Sequence, residues 1–204
     1  TLAETSGFQP AGTHDGVAVG SVAYVPGRLG GYAVDLRAAN TAVRIKNSLI
    51  SDADYRTTFD AFLFDSPAGF SFSFWVKGLP VNEWAPWIAK DGEATGYALR
   101  RSGTSDQISF TLRNSDGEDD PTSTATRITD NLWHHLAAVY DPVALQRRLY
   151  LDGVECISIT DSNLTLPPIN SPLFFGAPGS SGARFARVVV DEICAYDKAL
   201  TVAE

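Results

Sequence analysis

The stretch GFSFSFWVKG, residues 69–78, alternates without a break. On an extended chain Phe70, Phe72, Phe74 and Val76 fall on one side, and Ser71, Ser73, Trp75 and Lys77 on the other. A period of two sustained over eight residues is a β-strand, because no helix puts those residues on one face. Three phenylalanines and a valine in a row need a second layer to cover them.

Other β-rich runs follow. YAVDLRAANTAVRIKN (32–47) holds two short runs around a polar RAAN turn, and WIAKDG (87–92), GYALRR (96–101) and QISFTLRN (107–114) come next, divided by Gly and Asp turns. NSDGEDDPTSTAT (114–126) is polar and acidic around a proline and predicts an exposed loop. LWHHLAAVYD and RRLYLDGVECISIT (147–160) continue the series. In the second, Asp152-Gly153 suits the positive φ angles of a two-residue hairpin turn. PLFFGAPGSSGARFARVVVDEICAYDKAL supplies a strand, a Gly/Ser loop and a long last strand. Helical hints are short, around 51–60 and at the end of the chain. Many strands at regular spacing, without βαβ alternation, predict an all-β fold: two antiparallel sheets packed as a sandwich. Its expected interior includes Phe70, Phe72, Phe74, Val76, Leu136, Val139, Leu149, Leu151 and Ile193.

The 204 residues suffice for one core, so a single domain over 1–204 is expected. No run of about 18 apolar residues is present to span a membrane as a helix. The chain starts at Thr1, has no methionine and stops at KALTVAE, which predicts a piece of a longer protein and makes a missing leader uninformative about export. Sixteen basic residues against 24 acidic ones give a net charge of −8, which disfavours nucleic acid as a partner. Cys156 and Cys194 lack metal-ligand spacing; a disulfide and two separate thiols both remain open.

His134 and His135 invite a metal or catalytic reading. Adjacent strand residues point to opposite faces, so the two cannot easily chelate one ion. Both faces of their run are apolar, which predicts a covered strand whose imidazoles bond neighbouring backbone or carboxylate groups. His14, in THDG, belongs to a turn.

FSFSFWVKG, WIAKDG with GYALR, ITDNLWHHLAAVYD, LYLDGV, LFFGA and VVVDEICAYDKALTVAE occur here in one order, after ETSGFQPAGTHDGVAVGSVAYVPGRLGGYAVDL. Together they resemble the laminin-G-like, concanavalin A-like jelly-roll superfamily in its bacterial extracellular branch. The likeness covers essentially the whole chain. It implies a jelly roll, but not one activity, since the fold carries lectin, adhesion and enzyme functions. The family's strand ahead of ETSG is expected to be clipped here.

The resemblance implies three kinds of site. Glucanases of this fold place carboxyls on alternate residues of one strand, Glu-x-Asp-x-(x)-Glu, to bring a nucleophile and an acid together. This chain has no such motif: GEDDP (117–121) sits in a polar loop, and VDEIC puts Asp191 and Glu192 on opposite faces. Lyase constellations, a Gly-x-Ser-x-Gly elbow and a Walker loop are missing too. A structural calcium ion is the second possibility. Its carboxylates would be Asp191, on an apolar strand where a bare charge is costly, and Asp15, with the competing reading that Asp191 accepts backbone N–H bonds or pairs with an arginine. Sugar binding is the third, and needs flat aromatic faces beside polar side chains. VNEWAPWIAKDG supplies Trp84, flanked by Asn82 and Glu83, and Trp87, which either contacts ligand or packs under the loop. Trp75 is either covered by a loop or displayed on the outside of its sheet, and Arg100 and Asn114 could line a neighbouring cleft. NLT (163–165) matches a glycosylation acceptor but is uninformative in a bacterial chain.

The function expected is a non-catalytic, lectin-like module of a larger secreted or cell-surface protein, extracellular or periplasmic, that binds a glycan or polysaccharide by stacking and polar loop contacts. A structural or protein–protein adhesion module is the alternative, with other domains of the parent chain or another extracellular protein as partner. A glycoside hydrolase or polysaccharide lyase comes last.

Overall fold

The computed structural model describes residues 16–45, 69–90, 96–114, 117–119, 128–160, 171–179 and 184–204. Among them the chain forms strands and turns and no helix. One sheet runs, in spatial order, β1 (Gly16–Val19), β4 (Ala42–Ile45), β13 (Leu173–Phe175), β6 (Pro86–Lys90), β7 (Gly96–Arg101), β8 (Ile108–Asn114) and β9 (Gly117–Asp119). The other runs β12 (Val154–Thr160), β11 (Gln146–Leu151), β10 (Trp133–Asp141), β5 (Phe70–Lys77), β14 (Val189–Tyr196), β3 (Tyr32–Asp35) and β2 (Ala23–Pro26). Neighbouring strands are antiparallel, and the two sheets pack as a jelly-roll sandwich. Asp15 and the 51–60 segment lie outside the described residues.

The Phe row of β5 does what its period dictates. Phe70, Phe72, Phe74 and Val76 are buried between the sheets, while Ser73, Trp75 and Lys77 reach the outer face. Opposite them lie Ile88, Tyr97, Leu99, Phe110 and Leu112 from β6, β7 and β8. Phe70 is the hub, with ring centroids 4.9 Å from Tyr97, 5.4 Å from Tyr140, 5.7 Å from Phe72 and 6.4 Å from Phe110. Burial pushes the Tyr97 phenol well above its ordinary pKa, so it stays neutral. The strand can start here only because residue 69 is glycine. A Cβ there would meet the Tyr140 carbonyl oxygen at 2.1 Å, and its φ of +78° suits no bulky side chain.

The RAAN turn carries the chain across the sandwich, since β3 and β4 belong to opposite sheets. Three expectations are corrected. The polar loop after Asn114 contains strand β9, which pairs Gly117 with Asn114 and finishes the sheet edge. Val139 is buried, but on the outer face: it pairs with Ser71, whereas Leu136 pairs with Phe74 on the inner one. The end of the chain is not helical, because the Ser71 hydroxyl donates to the Lys198 carbonyl (2.9 Å) and accepts from Leu200 N–H (2.9 Å), pinning it across the sheet. The β11–β12 hairpin is as expected, with Asp152 and Gly153 at φ 50° and 78°. Cys156 and Cys194 are free thiols. Three strands separate β12 from β14, roughly 19 Å at normal strand spacing, far beyond disulfide reach.

The two histidines fall on opposite faces of β10. His134 Nδ1 donates to Asp152 Oδ2 at 2.7 Å and Nε2 to Asp130 Oδ1 at 2.9 Å, so both nitrogens must carry protons. Partial burial pulls the pKa of His134 down, but its two carboxylate partners together outweigh that and hold it above the ordinary 6.5. The Nε2 of His135, on the outer face, lies 2.8 Å from the Ser73 hydroxyl, and burial lowers its pKa. A folded-state pKa raised above the unfolded value stabilises fully below the unfolded pKa and loses that effect as pH rises through the folded one. The melting gap between the wild type and His134→Gln should therefore be widest near pH ~5.5 and shrink above pH ~7. A gap that is flat with pH would show that folding leaves the His134 pKa unchanged, and one that widens as pH rises would show that His134 is neutral in the fold.

Candidate functional site

One end of the sandwich collects most of the polar and aromatic side chains singled out in the sequence. There β5 ends at Lys77, the chain crosses to the other sheet through 78–85, and β6 begins. Trp84 sits in this crossover, half-buried, with φ at +56°. A bulky residue held there is strained by on the order of 1–2 kcal/mol, so its surroundings must fix it. They do. Val81 N–H donates to the Ala186 carbonyl (3.0 Å), and the Asn82 side-chain amide donates to the Phe185 carbonyl (2.9 Å). Arg101 clamps the crossover to the β7–β8 turn, donating to the carbonyls of Val81 (3.0 Å), Ser105 (2.7 Å) and Thr104 (2.7 Å).

Trp84 itself is backed by the Arg100 guanidinium, 4.6 Å from the ring centroid. Arg100 is 2 % exposed, so it supports the indole from behind and does not present its charge to solvent. At the ring's edge a Cβ on Gly103 would come within 3.5 Å. Glu83, beside Trp84, is exposed. Trp87 is corrected as a ligand contact: it is fully buried in the core and its Nε1 donates to the Gly78 carbonyl at 3.2 Å. The side chain of Asn114 lies outside the described residues.

Trp75 occupies the outer face of the second sheet, in register with His135 on one side and Asp191 on the other. It is half-buried, with the Arg28 guanidinium 4.7 Å from its centroid and the His135 ring at 5.2 Å. Asp191, 7 % exposed, accepts from Arg28 N–H through Oδ2 (2.7 Å) and from Glu192 N–H through Oδ1 (3.0 Å). Gly27 permits this approach, since a Cβ there would lie 2.7 Å from Oδ2. Both carboxylate oxygens thus face N–H donors, which repel a cation, and no cluster of three His, Cys, Asp or Glu suited to a metal occurs among the described residues. Asp15, the second carboxylate expected to hold calcium, lies outside the described residues.

Sequence reasoning missed the arginine clamp of Arg101 and the cations Arg28, Lys77 and Arg187, which come from three distant segments. It also missed the β2–β3 hairpin, where Tyr24, Leu29 and Tyr32 are exposed. Residues 23–35, AYVPGRLGGYAVD, do not alternate, so the strand period gives no signal for this hairpin.

The profile of the concanavalin A-like lectin/glucanases superfamily matches residues 51–204, and the chain belongs to that superfamily. Similar solved structures include domain 4 of AbnA, a GH43 extracellular arabinanase from Geobacillus stearothermophilus, in complex with arabinotriose: 20% identity, 94% of this chain, 86% of that one, TM-score 0.69. The binding domain of Paraclostridial Mosquitocidal Protein 1 matches at 16% identity over 93% of this chain and 45% of its own, TM-score 0.67. A botulinum neurotoxin type C structure, whose cell entry depends on interaction with two ganglioside molecules, matches at 16% identity over 100% of this chain and 46% of its own, TM-score 0.68. In both toxins the chain spans less than half of the matched protein. No curated protein matches it. Among the described residues no helix is long and apolar enough to cross a membrane.

Proposed function

We propose that this chain is a non-catalytic carbohydrate-binding module of a larger extracellular protein, with Trp84 as the stacking surface for a sugar ring. The observation that carries the reading is the strained, multiply tied Trp84. Strain of this kind persists where the surroundings over-determine a residue, and it clusters at ligand sites. A rigid indole offers contact area at little entropic cost. Exposed Glu83 beside it can pair with sugar hydroxyls. The arabinotriose complex of the similar arabinanase domain adds a neighbour of the same fold with a sugar bound. Against a hydrolase, Asp35, Asp130, Asp152 and Asp191 are each already tied to Arg37, His134 or backbone N–H groups.

Affinity electrophoresis of the intact domain through a panel of polysaccharides tests this. Retardation by at least one is expected, and Trp84→Ala should weaken it at least about tenfold, as loss of an aromatic hot spot does. A folded domain that no polysaccharide retards sinks the proposal. New reducing ends would instead reveal a catalyst. The exposed Tyr24, Leu29 and Tyr32 favour a second reading, a protein-contact module. Retained glycan binding in a Tyr24→Ser, Tyr32→Ser variant argues that the hairpin serves another role.

A further inference from the structure

The outer face of the second sheet has a charge balance unlike the rest of the chain. Two cations lie on it near Trp75, and a third stands at the end of the sheet. Lys77 follows Trp75 by two residues on the same face of β5 and pairs in register with Val189 of β14. Arg187, exposed just before β14 at a φ of +60°, lies at the end of this sheet, where its Nε donates to the Arg37 carbonyl at 3.1 Å. The Arg28 guanidinium carbon lies 4.7 Å from the Trp75 ring centroid. Among the described residues none of the three has a carboxylate partner, although the chain carries eight more acidic than basic groups. The nearby carboxylates are already engaged: Asp191 by two backbone N–H groups, and Asp35 by Arg37, with Arg37 Nη2 at 2.6 Å. In a chain with net charge −8, these cations, in no salt bridge among the described residues and with Asp191 as the carboxylate beside Trp75, give this face a local excess of positive charge.

The geometry points to an acidic sugar as the ligand of this face: a polysaccharide whose carboxylate or sulfate groups are met by Arg28, Lys77 and Arg187. This deepens the carbohydrate-binding reading and rests on it, but uses a different surface from Trp84. Contact with the Trp75 ring leaves the guanidinium N–H groups of Arg28 without a carboxylate partner among the described residues, and arginine recognises planar anions through such groups. Lys77 contributes a mobile point charge beside it. Because the rest of the chain repels polyanions, binding must be local, salt-sensitive and dependent on these three residues.

The test measures affinity of the intact chain for polygalacturonate, dextran sulfate and neutral dextran at low and high salt. Arg28→Gln, Lys77→Gln and Arg187→Gln are measured alongside, singly and together, with near-UV circular dichroism to confirm folding. The expected result is at least tenfold tighter binding of one or both acidic polymers than of dextran. That preference should fall three- to tenfold with each substitution, disappear in the triple variant and weaken with salt, and preference for one acidic polymer identifies the anion. An acidic preference that survives in the folded triple variant, or no acidic preference with neutral glycans still bound through Trp84, overturns this inference and leaves the carbohydrate reading intact. Equal binding of anionic vesicles or duplex DNA, with the same residue dependence, overturns the assignment to sugar. Loss of all polysaccharide binding, neutral and acidic, overturns both.

Discussion

Phe70→Ala should destabilise the domain by about 3–5 kcal/mol, a large fraction of the total stability of a typical domain. The ring touches Phe72, Tyr97, Phe110 and Tyr140, which belong to both sheets, so its removal opens a void that neither sheet can close by moving alone. The melting midpoint should fall by roughly 8–15 °C. Phe70→Leu, which keeps most of the volume, should cost about 1–2 kcal/mol. Exposed Thr160→Ala on edge strand β12 should stay within about 0.5 kcal/mol and is the control. Equal midpoints for Phe70→Ala and Thr160→Ala would mean that the aromatic cluster does not hold the sheets together.

The same Phe row shows why the fold was readable before any coordinates. Strand periodicity is a local property, and the alternation of β5 or the Asp152-Gly153 turn needs no distant partner to be recognised. Which sheet a strand joins is not local: the RAAN segment reads only as a turn, and in the structure it crosses between sheets. For the proposed site, the sequence singled out Trp84 as a tryptophan next to Asn and Glu in a Pro-containing loop, and the structure leaves that side chain half-buried. Trp87, three residues on, carries the same sequence signal, yet the crossover turns it inward to donate to the Gly78 carbonyl. Arg28, Lys77 and Arg187 were not singled out because they come from three separate segments and stand in the sequence as scattered cations.

Asp191→Ala is expected to be nearly as damaging as the core substitution, at about 2–4 kcal/mol, through unpaired donors and not through a void. It would leave the Arg28 and Glu192 N–H groups without their acceptors in a nearly dry position. Asp191→Asn should rescue only part of this, because whichever way the amide is turned, its NH2 faces one of the two N–H donors. The loosened Arg28 should also weaken acidic-polysaccharide binding, although Asp191 itself touches no ligand. That makes it a positioning residue, and the fall in affinity should be absent for neutral glycans. The experiment decides the calcium question as well. With one N–H donor on each carboxylate oxygen, Asp191 is satisfied without an ion, so wild-type melts in chelator and in calcium should superimpose. A midpoint several degrees higher in calcium, lost in Asp191→Asn, would show instead that the carboxylate turns from the backbone to the metal and that the loop is held by the ion.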